Sequence, residues 1–224
     1  MSTASVRRLP TPSPDRPQTR GEEWANALSH GLGCLLALAA LPLLVMDAWA
    51  EGSQADVAAA AVFGGSMILL YGVSALYHAL PVGSAKAWLN RLDHAAIYLF
   101  IAGSYTPFTL GVLKGGWGWM LFIIVWTAAA AGVAIKLLNR LKHPWLSTGL
   151  YIAMGWVAVL AAGPLIERMP TAGLAWLVAG GLSYTLGAFV FLMDNKVRYA
   201  HFVWHLFVLG GSVCHFFAVL GYAR

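Results

Sequence analysis

The sequence predicts an all-α polytopic membrane protein, a bundle of seven transmembrane helices. Of its 224 residues, 59% are hydrophobic and only 10% are charged, whereas a soluble domain has about a quarter charged residues. Apolar runs of roughly 20 residues, the length that crosses a bilayer as a helix, follow one another along the chain. These runs do not alternate between polar and apolar residues, which argues against a β-barrel.

The first four helices are predicted from apolar runs and from the polar segments that end them. The first is predicted over residues 24–46 and the second over 55–80, separated by DAWAEGSQAD. The third is predicted over 92–112, after PVGSAKAWLNR, and the fourth over 117–138, after the glycine-rich LKGGWG. Pro107 lies inside the third run and predicts a kink there.

The last three helices are predicted over residues 145–163, 172–193 and 200–222, after the short connections NRLKH, PLIERMPT and DNKVRY. Residues 1–20 contain four prolines and four arginines and no apolar run. This composition predicts a disordered tail and excludes a cleaved signal peptide. The chain therefore divides into a cytoplasmic tail, 1–20, and a seven-helix transmembrane domain, 21–224.

The distribution of the basic residues predicts the orientation. Lysine and arginine concentrate on the cytoplasmic side of membrane proteins. If the N-terminus is cytoplasmic, eleven of the 14 basic residues lie on that side and three on the other. The N-terminus is thus predicted inside and the C-terminus outside. The net charge of +5 then reflects the orientation of the protein in the membrane. Nucleic acid is excluded as a partner.

Ionisable residues inside membrane spans are rare and are the first candidates for a functional site. With this orientation, His78 lies at the cytoplasmic end of the second helix and Asp93 in the first turn of the third. His201 and His205 lie four residues apart at the cytoplasmic end of the seventh. The topology therefore brings four ionisable side chains to one membrane level. Ser74 lies one turn from His78 on the same helix face.

This set of residue types predicts a zinc site. Three histidine nitrogens, here those of His78, His201 and His205, are the ligands of many catalytic Zn²⁺ ions, which keep a fourth position for water. Magnesium and calcium prefer oxygen ligands. Asp93 is either a direct ligand or the acceptor of a hydrogen bond from the bound water. The alternative is that the histidines are hydrogen-bond partners between helices, but three of them with a carboxylate at one depth favour a metal.

A second polar face lies on the first helix. Glu23, Asn26 and His30 are spaced three and four residues apart, so they share one face near the cytoplasmic side. They could support the metal ligands from behind, or could only anchor the helix at the interface. The remaining histidines are less favoured: His94 points away from Asp93, and the other two, His143 and His215, are interpreted as a solvated loop residue and a satisfied core residue.

The segments SALYH, LNRLDHAAIYLFIAGSYTPF and HFVWH together resemble the bacterial hemolysin III branch of the progestin and adipoQ receptor family. The resemblance covers nearly the whole chain after the tail. It implies a seven-helix fold in the bacterial plasma membrane, with a cytoplasmic N-terminus and a zinc ion near the cytoplasmic leaflet. The family's metal ligands correspond to His78, His201 and His205, its aspartate to Asp93 and its serine to Ser74. Ser29 stands where many relatives have threonine.

Two functions fit these residues. In the first, the protein is a zinc-dependent hydrolase of lipid amides or esters, with ceramide-like amides suggested by the wider relatives. Asp93 then acts as general base, and Ser74 stabilises the oxyanion or holds the water. In the second, zinc is structural and the protein perturbs membranes, as a haemolysin does, or regulates lipid state. Membrane lipids are the expected partners of either. Zinc transport is disfavoured because the outer halves of the helices carry few polar side chains.

Overall fold

The computed structural model describes residues 16–141 and 143–224. In these ranges the fold is helical throughout and without strands, as predicted. Most of the predicted tail falls on residues 1–15, outside the described part. The elements are α1 Arg20–Glu51, α2 Gln54–Ala79, α3 Ser84–Leu110, α4 Gly116–Leu137, α5 Pro144–Gly155, a 3-10 helix Val157–Ala161, α6 Ala162–Arg168, α7 Thr171–Phe191 and α8 Ala200–Tyr222.

Six stretches of the described chain are long and apolar enough to cross a membrane: α1, α2, α4, Pro144–Arg168, α7 and α8. The third predicted span, α3, has 27 residues but is more polar. Its first half carries Lys86, Arg91 and Asp93, and its second half holds buried hydroxyl residues such as Thr106 and Thr109. Because α3 packs against α2, α4, α5 and α8, it needs less apolar surface than a lipid-facing helix. The count of seven spans stays a prediction.

The packing order of the helices determines where the site lies. The first helix packs against α2, α2 against α3 and α3 against α4, and α7 packs against α8. The last helix, α8, also packs against α1 and closes the bundle. Phe63 and Tyr71 of α2 and Leu121 of α4 are fully buried in the core. The end of α2 therefore meets the beginnings of α1 and α8.

The fifth predicted span is not one continuous helix. It consists of α5, the 3-10 helix and α6, because a side chain from α3 interrupts its hydrogen bonds. The Tyr105 hydroxyl donates to the Gly155 carbonyl at 2.6 Å and accepts the Ala158 N–H at 2.9 Å. A side chain inserted between backbone groups in this way breaks a helix. Pro107 lies within α3, as predicted, and α3 ends three residues later.

The turn between α3 and α4 yields the first prediction. A Cβ atom on Gly118 would collide with the backbone oxygen of Thr109, and backbone cannot move aside as a side chain can. Gly118→Ala should destabilise the protein by about 1–3 kcal/mol, the usual cost of overpacking. Thermal unfolding in detergent measures this change.

Gly116→Ala is the matched control, because it lies in the same helical turn with nothing within 4 Å of its added Cβ. It should be neutral or slightly stabilising, since alanine favours helix more than glycine does. Equal stability of the two variants would contradict the tight approach at Gly118.

Candidate metal centre

The three predicted histidine ligands lie together. His78 comes from the last turn of α2, and His201 and His205 from the first two turns of α8. All three are buried, and one nitrogen of each lies within 4.8 Å of those of the other two. This group of three histidines could hold a metal ion.

The Nδ1 atom of each histidine is held by a hydrogen bond. His78 Nδ1 donates to Glu23 Oε2 at 2.8 Å, and His201 Nδ1 donates to Asp194 Oδ2 at 3.0 Å. His205 Nδ1 lies 3.0 Å from Ser29 Oγ.

The hydroxyl of Ser29 donates to the Asn26 carbonyl at 2.9 Å, so its oxygen accepts the hydrogen of His205 Nδ1. Each imidazole that carries its hydrogen on Nδ1 has a lone pair on Nε2. The Nε2 atoms of all three histidines are buried and have no hydrogen-bond partner among the described residues. These hydrogen bonds therefore use Nδ1 of each ring and leave Nε2 free, an arrangement that fits a transition-metal ion.

The environment of Asp194 strengthens this arrangement. Asp194 lies in the connection between α7 and α8. Burial alone raises the pKa of its carboxyl group, but the hydrogen bonds from His201 and Gln18 and the positive charge of Arg16 outweigh burial and lower the pKa. The side chain is therefore a carboxylate at neutral pH, and it accepts the N–H of a ligand histidine.

The two predicted catalytic residues are both buried. Ser74 is buried one turn before His78, and its Oγ has no partner in the described part of the chain. Asp93 is also buried, but it does not belong to the close group of ligand atoms. The geometry thus supports Asp93 as a neighbour of the cluster more than as a direct ligand.

The polar face of α1 contacts the cluster. Besides Glu23, Asn26 places its Nδ2 3.5 Å from His78 Nδ1. His30 stacks on His205, with ring centroids 3.4 Å apart and ring planes 7° apart. The interpretation of this face as support for the ligands therefore agrees with the contacts better than a role in interfacial anchoring alone.

Sequence reasoning missed Asp194 and gave no role to Ser29. The signal for Asp194 was its place in the short connection DNKVRY, which only Ala200 separates from the HFVWH segment. The other histidines lie outside the cluster, as predicted: His143 is exposed before α5, His94 Nδ1 donates to the Asn90 carbonyl at 2.8 Å, and His215 Nδ1 donates to the Gly211 carbonyl at 2.9 Å.

An apolar cavity of about 140 Å³ lies beside the cluster, between α3, α5, α7 and α8. Phe100, Tyr151 and Trp204 form part of its wall, and so do two of the predicted site residues, Asp93 and His30. The three histidine ligands do not line it. Asp93 and His30 thus stand where the cavity and the cluster meet.

The fold and the site define a helical integral membrane protein with a buried three-histidine centre. The chain belongs to the haemolysin-III-related family, whose model matches residues 18–216. Hemolysin-3 of Bacillus cereus is 44% identical over 201 residues, which are 90% of this chain and 91% of that protein. The hemolysin-3 homolog of Bacillus subtilis (strain 168) is 43% identical over 201 residues, 90% of this chain and 94% of that protein.

A more distant relative supports the wider family. Monocyte to macrophage differentiation factor of Homo sapiens is 29% identical over 215 residues, 90% of this chain and 84% of that protein. The predicted resemblance to the hemolysin III branch is therefore confirmed. The bacterial relatives also fit the predicted location in a plasma membrane.

The hydrogen bond from His201 to Asp194 yields the second prediction. Asp194→Ala removes the acceptor that orients this ligand, and loss of such partners typically weakens metal binding about 10- to 100-fold. We expect a weakening of this size in zinc affinity, measured by competition with a chromogenic chelator.

Asp47→Ala is the matched control, since Asp47 pairs with Arg224 near the other end of α1. The control variant should bind zinc as the wild type does. An Asp194→Ala variant with unchanged zinc affinity would show that this carboxylate does not support the site.

Proposed function

We propose that the protein is a zinc-dependent hydrolase of lipid amides or esters, with ceramide-like amides as the best candidates. One observation carries this proposal. The three histidines are grouped with one nitrogen of each within 4.8 Å of the others, each buried Nε2 atom has no partner among the described residues, and the opposite nitrogen of each ring is fixed by Glu23, Asp194 or Ser29. Nitrogen ligands favour zinc over magnesium or calcium.

The bound ion would polarise the carbonyl group of a substrate and acidify a water molecule. Asp93 then takes a proton from the water as its oxygen bonds to the carbonyl carbon. It returns that proton to the leaving nitrogen or oxygen when the bond from carbon to the leaving group breaks. Ser74 donates its hydroxyl hydrogen to the charge that develops on the carbonyl oxygen. Their burial next to the histidines supports both roles.

The cavity supports a lipid as the substrate. Its wall is mostly apolar, and its position between α3, α5, α7 and α8 provides a protected space for an acyl chain next to Asp93. Burial of each methylene group of such a chain contributes about 0.8 kcal/mol. A hydrophilic substrate would gain nothing from these walls.

A second candidate is a structural zinc ion in a protein that acts on membranes without catalysis. The hydrogen bonds of the cluster join α1 to α2 and to α8, and an ion on the Nε2 atoms would link α2 directly to α8. The relatives are named Hemolysin-3, which fits an effect on membranes.

The third prediction distinguishes the two candidate functions, which both need a bound zinc ion, from a histidine cluster that binds no metal. The detergent-purified protein should contain about one zinc ion per chain, measured by inductively coupled plasma mass spectrometry. His201→Ala/His205→Ala should lose it, because two of three ligands are gone.

The double variant His143→Ala/His215→Ala is the matched control, since neither of these histidines lies in the cluster. It should keep the zinc ion. Folded wild-type protein without metal after purification in zinc-containing buffer would refute both candidates.

The fourth prediction separates the hydrolase from the structural zinc protein. Asp93→Asn removes the general base, which typically costs about 100- to 10,000-fold in rate. We expect this loss in the hydrolysis of N-acyl lipid amides, followed by mass spectrometry of the released fatty acid, with zinc content unchanged.

Asp47→Asn serves as the control and should hydrolyse these lipids at the wild-type rate. If wild-type protein with bound zinc cleaves neither lipid amides nor lipid esters, the structural candidate replaces the hydrolase.

A further inference from the structure

His30 differs from the other buried histidines of the described chain. It is only 2% exposed, and neither of its ring nitrogens has a hydrogen-bond partner among the described residues. The three cluster histidines each use Nδ1 in a hydrogen bond, and His94 and His215 bond to backbone carbonyls. An unsatisfied buried polar atom destabilises a fold, so two on one ring indicate a partner that the protein chain does not supply.

His30 is not placed to be a fourth ligand. It lies outside the close group of ligand atoms, and its ring is parallel to that of His205 with centroids 3.4 Å apart. Its other neighbour is Tyr71, whose ring meets it edge to face at 5.0 Å. The imidazole is therefore held between two aromatic rings, which fix its orientation and leave its nitrogens unused.

The ring lies in the wall of the apolar cavity. A polar group that met His30 would thus belong to a molecule whose apolar part fills this cavity. Because His30 stacks directly on a ligand histidine, that polar group would also lie only a few covalent bonds along the lipid from the atoms that react.

We propose that His30 is a specificity-determining residue that binds a hydroxyl group of the lipid, next to the amide or ester carbonyl. A neutral imidazole offers one N–H donor and one lone pair, and a hydroxyl group offers the matching acceptor and donor. The preferred substrates are then N-acyl amino alcohols, in preference to amides of simple alkylamines. This inference rests on the proposed lipid substrate and specifies its polar part.

The test measures binding of two alkyl ureas to the zinc-loaded protein in detergent by isothermal titration calorimetry. The two ureas have the same alkyl chains and differ by one hydroxyl group. In one of them, the chain attached to a urea nitrogen carries this hydroxyl group. A urea keeps the carbonyl and resists hydrolysis, so binding is measured without turnover. The wild type should bind the hydroxyl-bearing urea about tenfold more tightly, the contribution of one well-placed buried hydrogen bond.

His30→Phe keeps an aromatic ring but has no donor or acceptor, so it should abolish this preference. His30→Gln keeps a donor and an acceptor and should retain most of it. Ile97→Val, which only trims the apolar wall, should weaken binding of both ureas equally. If His30→Phe does not fold, His30→Leu replaces it with a smaller apolar side chain.

A wild type that binds both ureas equally would overturn the proposal, and so would a preference that survives in His30→Phe. Equal loss in the phenylalanine and glutamine variants would show that ring packing, and not hydrogen bonding, is what His30 contributes. Because the readout is a ratio of two affinities on one sample, incomplete zinc loading does not imitate the effect. The ureas are not cleaved, so absence of hydrolase activity and absence of this preference are separate results.

Discussion

The site depends on one constraint: within a membrane bundle, a buried polar nitrogen needs a partner, because neither lipid nor apolar side chains can supply one. The cluster meets this constraint on only one side of each ligand ring. Glu23, Asp194 and Ser29 accept the Nδ1 hydrogens, and this determines where the lone pairs point. One nitrogen of each ligand histidine lies within 4.8 Å of those of the other two, so a metal ion could satisfy the three rings together.

The same constraint explains why the start of α1 is bound so closely to the start of α8. Arg16 pairs with Glu22 through two hydrogen bonds of 2.9 and 2.6 Å, and Glu22 also accepts the Tyr199 N–H at 2.9 Å. Gln18 donates to Asp194 at 3.1 Å and accepts from Asn26 Nδ2 at 2.6 Å. The segment before α1 therefore holds in place the groups that in turn orient the ligands.

The parts of the site that were predictable from the sequence are those that depend on helical spacing and on topology. His201 and His205 share a face because they are four residues apart, and the alternation of membrane helices brings His78 to their level. The sequence places Asp194 shortly before His201, but the hydrogen bond between them was not predictable, because it depends on a connection that ends at Tyr199 in a left-handed conformation, φ 61°. The break in the helix after Gly155 also could not be predicted from the residues around it, because Tyr105 of another helix causes it. The polarity of α3 could be read from its residues, but its burial among other helices could not.

Zinc K-edge X-ray absorption on the purified, zinc-loaded protein tests the central claim most directly, because it reports the atoms bound to the metal. The account predicts three imidazole nitrogens and one oxygen ligand at about 2.0–2.1 Å. The imidazole scattering should fall when His78, His201 or His205 is replaced. A shell of six oxygens, or one with sulfur, would contradict the account and would place the metal elsewhere in the protein.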